Sequence, residues 1–355
     1  MRVFSLGCPY PHRQIHRTKA QVVITYAKRA LDANYNYNTL GNVDPDDLFD
    51  EFQADINDIT AHILSIGEQD KQALEMHYID VLYRIVFGLN QIENAGASLD
   101  ITYRICKRIF KGEGSPKEIT KRNPDYQALK IELQKKKMPS NVNAVLRTRR
   151  EIVQHAKATQ HIIHEVAVLD KDITEELILK THGFLTYKVD CPDSDLNWKQ
   201  YSGVYRSTSV VAGFSAFPPP AHVPRLISAM VVELNADLAR AVEDSSLDPV
   251  MLSAKYCHRF VNIHPFVDRN GRTCRLILNA ILLKYCGLIV TLGEGEDDRT
   301  KYLEIAATGS LNEMSDLDDH DDNMPNQYWK ELATFTLSHT AKNARSFLEI
   351  LKQTD

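Results

Sequence analysis

Twelve residues, His264-Pro265-Phe266-Val267-Asp268-Arg269-Asn270-Gly271-Arg272-Thr273-Cys274-Arg275, lie between two segments whose apolar residues recur with helical period. Upstream, Asp248-Pro249 reads as a helix start, with Asp at the N-cap and Pro in the first turn. Leu252, Tyr256 and Phe260 then follow at i, i+4 and i+8, which predicts a helix ending near Ile263. Downstream, Arg272 to Tyr285 carries Leu276, Ile277, Ala280, Ile281 and Leu283, with Gly287 placed to cap it. Asn270, Gly271 and Arg272 therefore sit where a helix begins. Its unpaired N–H groups and dipole favour an anion there. Arg272 and Arg275, three apart, share one side of that first turn. Two forks of N–H donors beside free backbone amides suit a polyphosphate.

Away from this loop the pattern remains helical. Residues 18–33 can form a helix that the Asn/Tyr-rich run Asn34 to Asn42 ends. Asp44-Pro45 opens another, with Leu48, Phe49, Phe52, Ile56, Ile59 and Ile63 on one face. Asp70 to Leu89 forms a third. Residues 98–150 are helical and basic, Glu151 to Val168 continues as helix, and Ile173 begins the next, which ends near Leu185. Gly203-Val204-Tyr205-Arg206 through Pro218-Pro219-Pro220 is the one strand-like stretch and reads as a short hairpin stopped by prolines. A helix from Val223 to Val242, another opened by Glu296-Asp297-Asp298, an acidic loop Asp316 to Asp322 and a helix Gln327 to Leu351 complete the chain. This is an all-α class with one hairpin.

Composition narrows the partners. A net charge of −5 leaves no nucleic-acid footprint. The longest apolar run, Leu276 to Leu292, is broken by Asn279, Lys284 and Gly287, so no membrane span is expected. The six cysteines (8, 106, 191, 257, 274 and 286) show no Cys-x-x-Cys pair, and the first 17 residues have no signal-peptide core. Reduced thiols in a cytoplasmic or nuclear protein are the expectation. His155, His161, His164 and His182 lack the spacing of a zinc site and read as ordinary helix residues.

Residues 264–275 resemble the signature of the Fic (filamentation induced by cAMP) family, His-x-Phe-x-Asp/Glu-Gly-Asn-Gly-Arg-x-x-Arg, and the likeness extends from about 150 to about 310. One position departs: Arg269 stands where the family usually has Gly. The resemblance implies a Fic-fold helical bundle with a β-hairpin flap, preceded by a helical N-terminal region. It divides the chain into residues 1–97, a helical region ending in an inhibitory helix; 98–150, a basic connection; 151–310, the Fic core; and 311–355, the acidic loop and last helix.

The resemblance further implies transfer of AMP from ATP to a Ser, Thr or Tyr hydroxyl of a target protein. His264 would accept the hydroxyl proton, as a neutral imidazole can near pH 7. Asp268 would hold Mg²⁺. Asn270 and the amides around Gly271 would face the α-phosphate, Arg272 the β-phosphate and Arg275 the γ-phosphate. Phe266 would anchor the loop. Arg269 either strains or alters the site through its backbone, or as an extra cation adds phosphate affinity or changes which nucleotide is preferred. Tyr302 would stack on adenine or pack in the core. Ile92-Glu93-Asn94 resembles the second half of the family's inhibitory motif, although Leu89 occupies its usual Ser/Thr position; Glu93 would then pair with Arg275 and fill the γ-phosphate space. Residues 207–217 would be the flap on which the target docks. Removal of AMP from a modified protein and catalytically silent nucleotide binding stand as alternatives. Subunit number is left open, a homodimer included.

Overall fold

The computed structural model describes residues 34–65, 67, 70–114, 116–191, 196–212, 215–316 and 327–353. The helix expected over 18–33 and most of the acidic loop lie outside them. Among the described residues the chain forms α1 (Pro45–Ser65), α2 (Asp70–Ile92), α3 (Leu99–Phe110), α4 (Pro124–Lys135), α5 (Val142–Ile163) with a π-helical turn His164–Val168, α6 (Glu175–Thr186) and the short α7 (Trp198–Tyr201). After β1 (Val211–Ala212) and β2 (Ser215–Ala216) come α8 (Val223–Glu243), α9 (Pro249–Ile263), α10 (Asn270–Cys286), α11 (Glu296–Asp316) and α12 (Lys330–Lys352). The two strands pair antiparallel, Val211 with Ala216 and Ala212 with Ser215. No described helix is long and apolar enough to cross a membrane.

α10 is the axis of the bundle. Its residues Leu276, Ile277, Leu278, Ala280, Ile281 and Leu282 are all within 1% of full burial, as a helix apolar on every side must be. Each buried Leu or Ile contributes roughly 1.5–3 kcal/mol of transfer free energy. Asn279 interrupts that apolar run without being left unsatisfied, because its side chain donates to Arg275 O and accepts from Val290 N. α9 and α5 pack against α10, α12 lies on α9, and α1 lies against α12. The cap expected at Gly287 is present with φ +67°.

Two local features differ from the sequence pattern. α5 begins at Val142 rather than near Glu151, because the Asn141 side chain accepts from Ala144 N and caps it. The basic run 147–150 thus lies on a continuous helix across residue 150. Two glycines also let α2 approach the segment before α11. A Cβ on Gly88 would lie 2.2 Å from Leu292 O, and one on Gly293, at φ +76°, would lie 2.3 Å from Ile92 Cγ1. That close approach delivers the residue after α2, Glu93, to the mouth of α10.

Candidate active site

The loop between α9 and α10 is held by its own side chains. α9 stops because His264 turns left-handed, at φ 49°. Asn270 then closes the loop: its Oδ1 accepts from Phe266 N at 2.9 Å and its Nδ2 donates to Phe266 O at 2.8 Å. Both polar ends of Asn270 are thereby used on backbone. Phe266 is fully buried and stacks on His182 at 3.7 Å and 6°. His182 Nδ1 accepts from Gly203 N, which obliges Nε2 to carry the proton that it donates to Asp268 O at 3.2 Å. Burial pushes the His182 pKa down to about 3, so the imidazole is a neutral strut between hairpin base and loop.

Arg206 is the second strut. It is buried, and its guanidinium donates to His264 O at 2.6 Å, Pro218 O at 2.6 Å and Thr208 O at 3.2 Å, while its own N–H meets Pro265 O. One side chain thus ties both arms of the hairpin to the left-handed histidine. Arg206→Met strips these carbonyls, and that of Ile263 at 3.5 Å, of a charged donor. At about 1–3 kcal/mol for an unsatisfied buried group, urea unfolding should show a loss of at least about 2 kcal/mol, and parental stability would deny Arg206 this role.

His264 itself is held as one neutral tautomer. A carbonyl can only accept, so the 3.0 Å contact between Nδ1 and Val261 O places the proton on Nδ1 and leaves the Nε2 lone pair free. Burial is the largest influence and lowers the pKa to about 4. The ring stacks on Phe217 at 3.9 Å and 17°, so the hairpin forms one wall beside the imidazole.

The three arginines of the loop face differently. Arg269 is left-handed at φ 63°, which costs a non-glycine residue roughly 1–2 kcal/mol. Its guanidinium, with no exposed surface, turns inward to Glu151 Oε1 at 3.1 Å, Tyr201 OH at 3.2 Å and Asp268 Oδ2. Those bonds offset the strain and point the cation toward α5. Arg275, buried beneath the loop, donates to Glu93 Oε1 and, at 3.2 Å, to Tyr302 OH. Tyr302 is 4% exposed and lies under the guanidinium, 5.2 Å from ring centre to carbon, so its ring face is committed to Arg275. Gly271 leaves room for this pair, since a Cβ there would lie 2.6 Å from Glu93 Oε1 and displace that carboxylate.

Arg272 has no such partner. It is 6% exposed, its Nε is buried without a hydrogen bond, and no ion pair reaches it among the described residues. Burial and the nearby Arg269 lower its pKa. No side chain caps the N-terminus of α10. A buried guanidinium without a hydrogen-bonded partner, beside uncapped amides, has the chemistry that suits an anion. For Glu93, burial acts to raise the pKa, but Arg275 and Arg272 outweigh it and keep the carboxylate charged. Its side chain retains 33% exposure, whereas that of Arg275 retains 2%.

Asp268 is the loop's carboxylate. Burial raises its pKa, Arg269 and Arg272 more than reverse that, and it is ionised. Each oxygen accepts one bond from Arg269, from N at 2.6 Å and from the guanidinium, and 30% of the side chain remains exposed. Lone pairs are left over, so Asp268 would suit Mg²⁺ as a carboxylate ligand. Among the described residues no set of three acidic, His or Cys side chains gathers as a metal cage.

Arg206 and His182 were not singled out as site residues from sequence, and Glu151 marked only the start of a helix. Gly203-Val204-Tyr205-Arg206 carried a signal for the hairpin, but nothing in the sequence says that Arg206 meets carbonyls near residue 264.

The chain is similar to known proteins. A family model described as the Fic/DOC family matches residues 172–282. A Fido domain-containing protein of Dictyostelium discoideum is 34% identical over 105 residues, 29% of this chain and 71% of that protein. The protein adenylyltransferase Fic of Drosophila melanogaster is 31% identical over 145 residues, 39% of this chain but 26% of that protein. A Fic domain-containing signalling protein from Bacteroides thetaiotaomicron aligns with 87% of this chain and 98% of its own, with a TM-score of 0.57 at 16% identity. Fic-1 from C. elegans aligns with 87% of this chain and 74% of its own, with a TM-score of 0.56 at 16% identity. These structures share the helical fold. The chain belongs to the Fic/DOC family.

Proposed function

We propose that the chain is a protein adenylyltransferase restrained by its own Glu93. The observation that carries this reading is the unpartnered, buried Arg272 at the uncapped N-terminus of α10, with His264 presenting a free Nε2 on the same loop. A polyphosphate would supply the missing anion, and a neutral imidazole is what an alcohol nucleophile needs.

In this reading the target hydroxyl oxygen forms a bond to the α-phosphorus of ATP, the bond from that phosphorus to the bridging oxygen breaks, and pyrophosphate leaves. His264 Nε2 takes the hydroxyl proton. The amides at the start of α10 meet the charge developing on the phosphoryl oxygens. Arg272 holds the β-phosphate, and Arg275 is the partner for the γ-phosphate once Glu93 withdraws. Asp268 would hold Mg²⁺, whose charge would offset that of the phosphates. The hairpin between residues 207 and 217, whose Val211 is 81% exposed, offers an edge on which an extended target segment can add and hold its hydroxyl in register.

Intact-mass analysis of the Glu93→Gly protein after exposure to ATP and Mg²⁺ tests this. One added AMP group is expected; bound ATP with no covalent product would favour a silent nucleotide-binding protein. The one-third exposure of Glu93 leaves water access to its carboxylate, which favours hydrolytic removal of AMP as a second reading. That reading predicts free AMP from an AMP-modified protein, with release lost when Glu93 is replaced.

A further inference from the structure

We propose that Arg269 is a built-in counter-cation for Asp268, which anchors the loop to α5 and lowers the affinity of the site for a divalent metal ion. The inference rests on the nucleotide site proposed above and concerns what this chain has done at the one departure from the family signature.

Three observations converge on it. The Arg269 side chain is fully buried, so its charge is neither screened by water nor free to reach solvent. It is fixed at three points that belong to different elements: Glu151 on α5, Tyr201 at the end of α7, and Asp268 in the loop. Finally, both Asp268 oxygens accept from Arg269, one from the backbone N–H and one from the guanidinium. A metal ion approaching Asp268 must share that carboxylate with a permanent positive charge already in contact. Coulomb repulsion between like charges at such separations is strong wherever water is excluded. A guanidinium stays protonated at any working pH, so the handicap is constant. In return, the carboxylate is neutralised before any nucleotide arrives.

The consequence is that nucleotide binding leans less on the divalent ion than it would with glycine at position 269. Glycine adopts φ 63° without strain, so Arg269→Gly removes the cation and leaves the backbone at ease. Calorimetric titration of ATP into the Glu93→Gly protein and into Glu93→Gly/Arg269→Gly, with and without Mg²⁺, reads the effect directly as binding. The gain in ATP affinity on adding saturating Mg²⁺ should be at least about tenfold larger without Arg269. Glu93→Gly/Arg269→Met, which keeps a long apolar stem in the buried slot, should show the same increase. So should Glu93→Gly/Arg269→Gly/Glu151→Gln, in which no second carboxylate is set free. Equal Mg²⁺ gains with and without Arg269 would overturn the inference. Reversal of the increase by Glu151→Gln would do so as well, because the metal would then be reading Glu151. Failure of the Glu93→Gly protein to bind ATP under any condition would instead strike the proposed function.

Discussion

Replacing Glu93 by Gly is expected to tighten ATP binding roughly ten- to a hundred-fold and to raise self-labelling from ATP in step. The estimate follows from the contact it removes. Arg275 is almost wholly buried, and its guanidinium donates to Glu93 Oε1 and Tyr302 OH. A fork held by a carboxylate cannot also grip a phosphate, so a nucleotide must first displace Glu93. A hydrogen bond to a charged group contributes about 1.5–3 kcal/mol, and each 1.4 kcal/mol is about tenfold in affinity. Because Glu93 follows the end of α2, beside the Gly88 and Gly293 contacts, its removal leaves the packing of that helix intact. Calorimetry with ATP checks the affinity, and labelled ATP checks the transfer. Unchanged affinity would mean that the Glu93–Arg275 pair does not compete with phosphate.

The second large effect belongs to His264. His264→Ala in the Glu93→Gly background should retain ATP binding and lose about 10²–10⁴-fold in transfer rate, the usual contribution of a positioned general base. The pH profile offers an independent check. The base must be neutral to accept a proton, and burial lowers its pKa to about 4. Protonation therefore disables the nucleotide-free protein only as pH falls through about 4, and kcat/KM should stay flat where an ordinary histidine would already be failing, near pH 6.5. An acidic limb centred near 6.5 would show that the Nε2 environment differs from the one described.

The fold was legible because helix signals here are local. Leu252, Tyr256 and Phe260 lie on one helix, and Asp248 and Gly287 mark the outer ends of the α9–α10 pair. The start of α5 was harder, since the capping signal is the single residue Asn141 amid a run of basic side chains. Within the site, residue types were legible and directions were not. Arg269, Arg272 and Arg275 read as three like cations near one helix mouth, yet one faces Glu151, one faces Glu93 and Tyr302, and one has no hydrogen-bonded partner among the described residues. Pairings across 118 or 182 residues, such as Arg269 with Glu151 and Arg275 with Glu93, leave no trace in periodicity. Tyr302 carried two expectations, base stacking or core packing, and its ring lies in the core beneath the Arg275 guanidinium. The struts Arg206 and His182 act through backbone atoms, which have no sequence signature at all.

The central claim is that α10 opens onto a site built for a phosphate chain, with Arg272 waiting for it. Arg272→Met in the Glu93→Gly protein isolates that claim, because an unmatched buried charge is a burden on the empty protein and an asset only when an anion is bound. The paired measurement is thermal unfolding and ATP calorimetry on the same sample. A melting temperature at or above that of the Glu93→Gly parent, together with ATP affinity reduced by at least about a hundredfold, is the predicted outcome. A lower melting temperature with ATP affinity unchanged would show that Arg272 serves the fold and that the phosphates bind elsewhere.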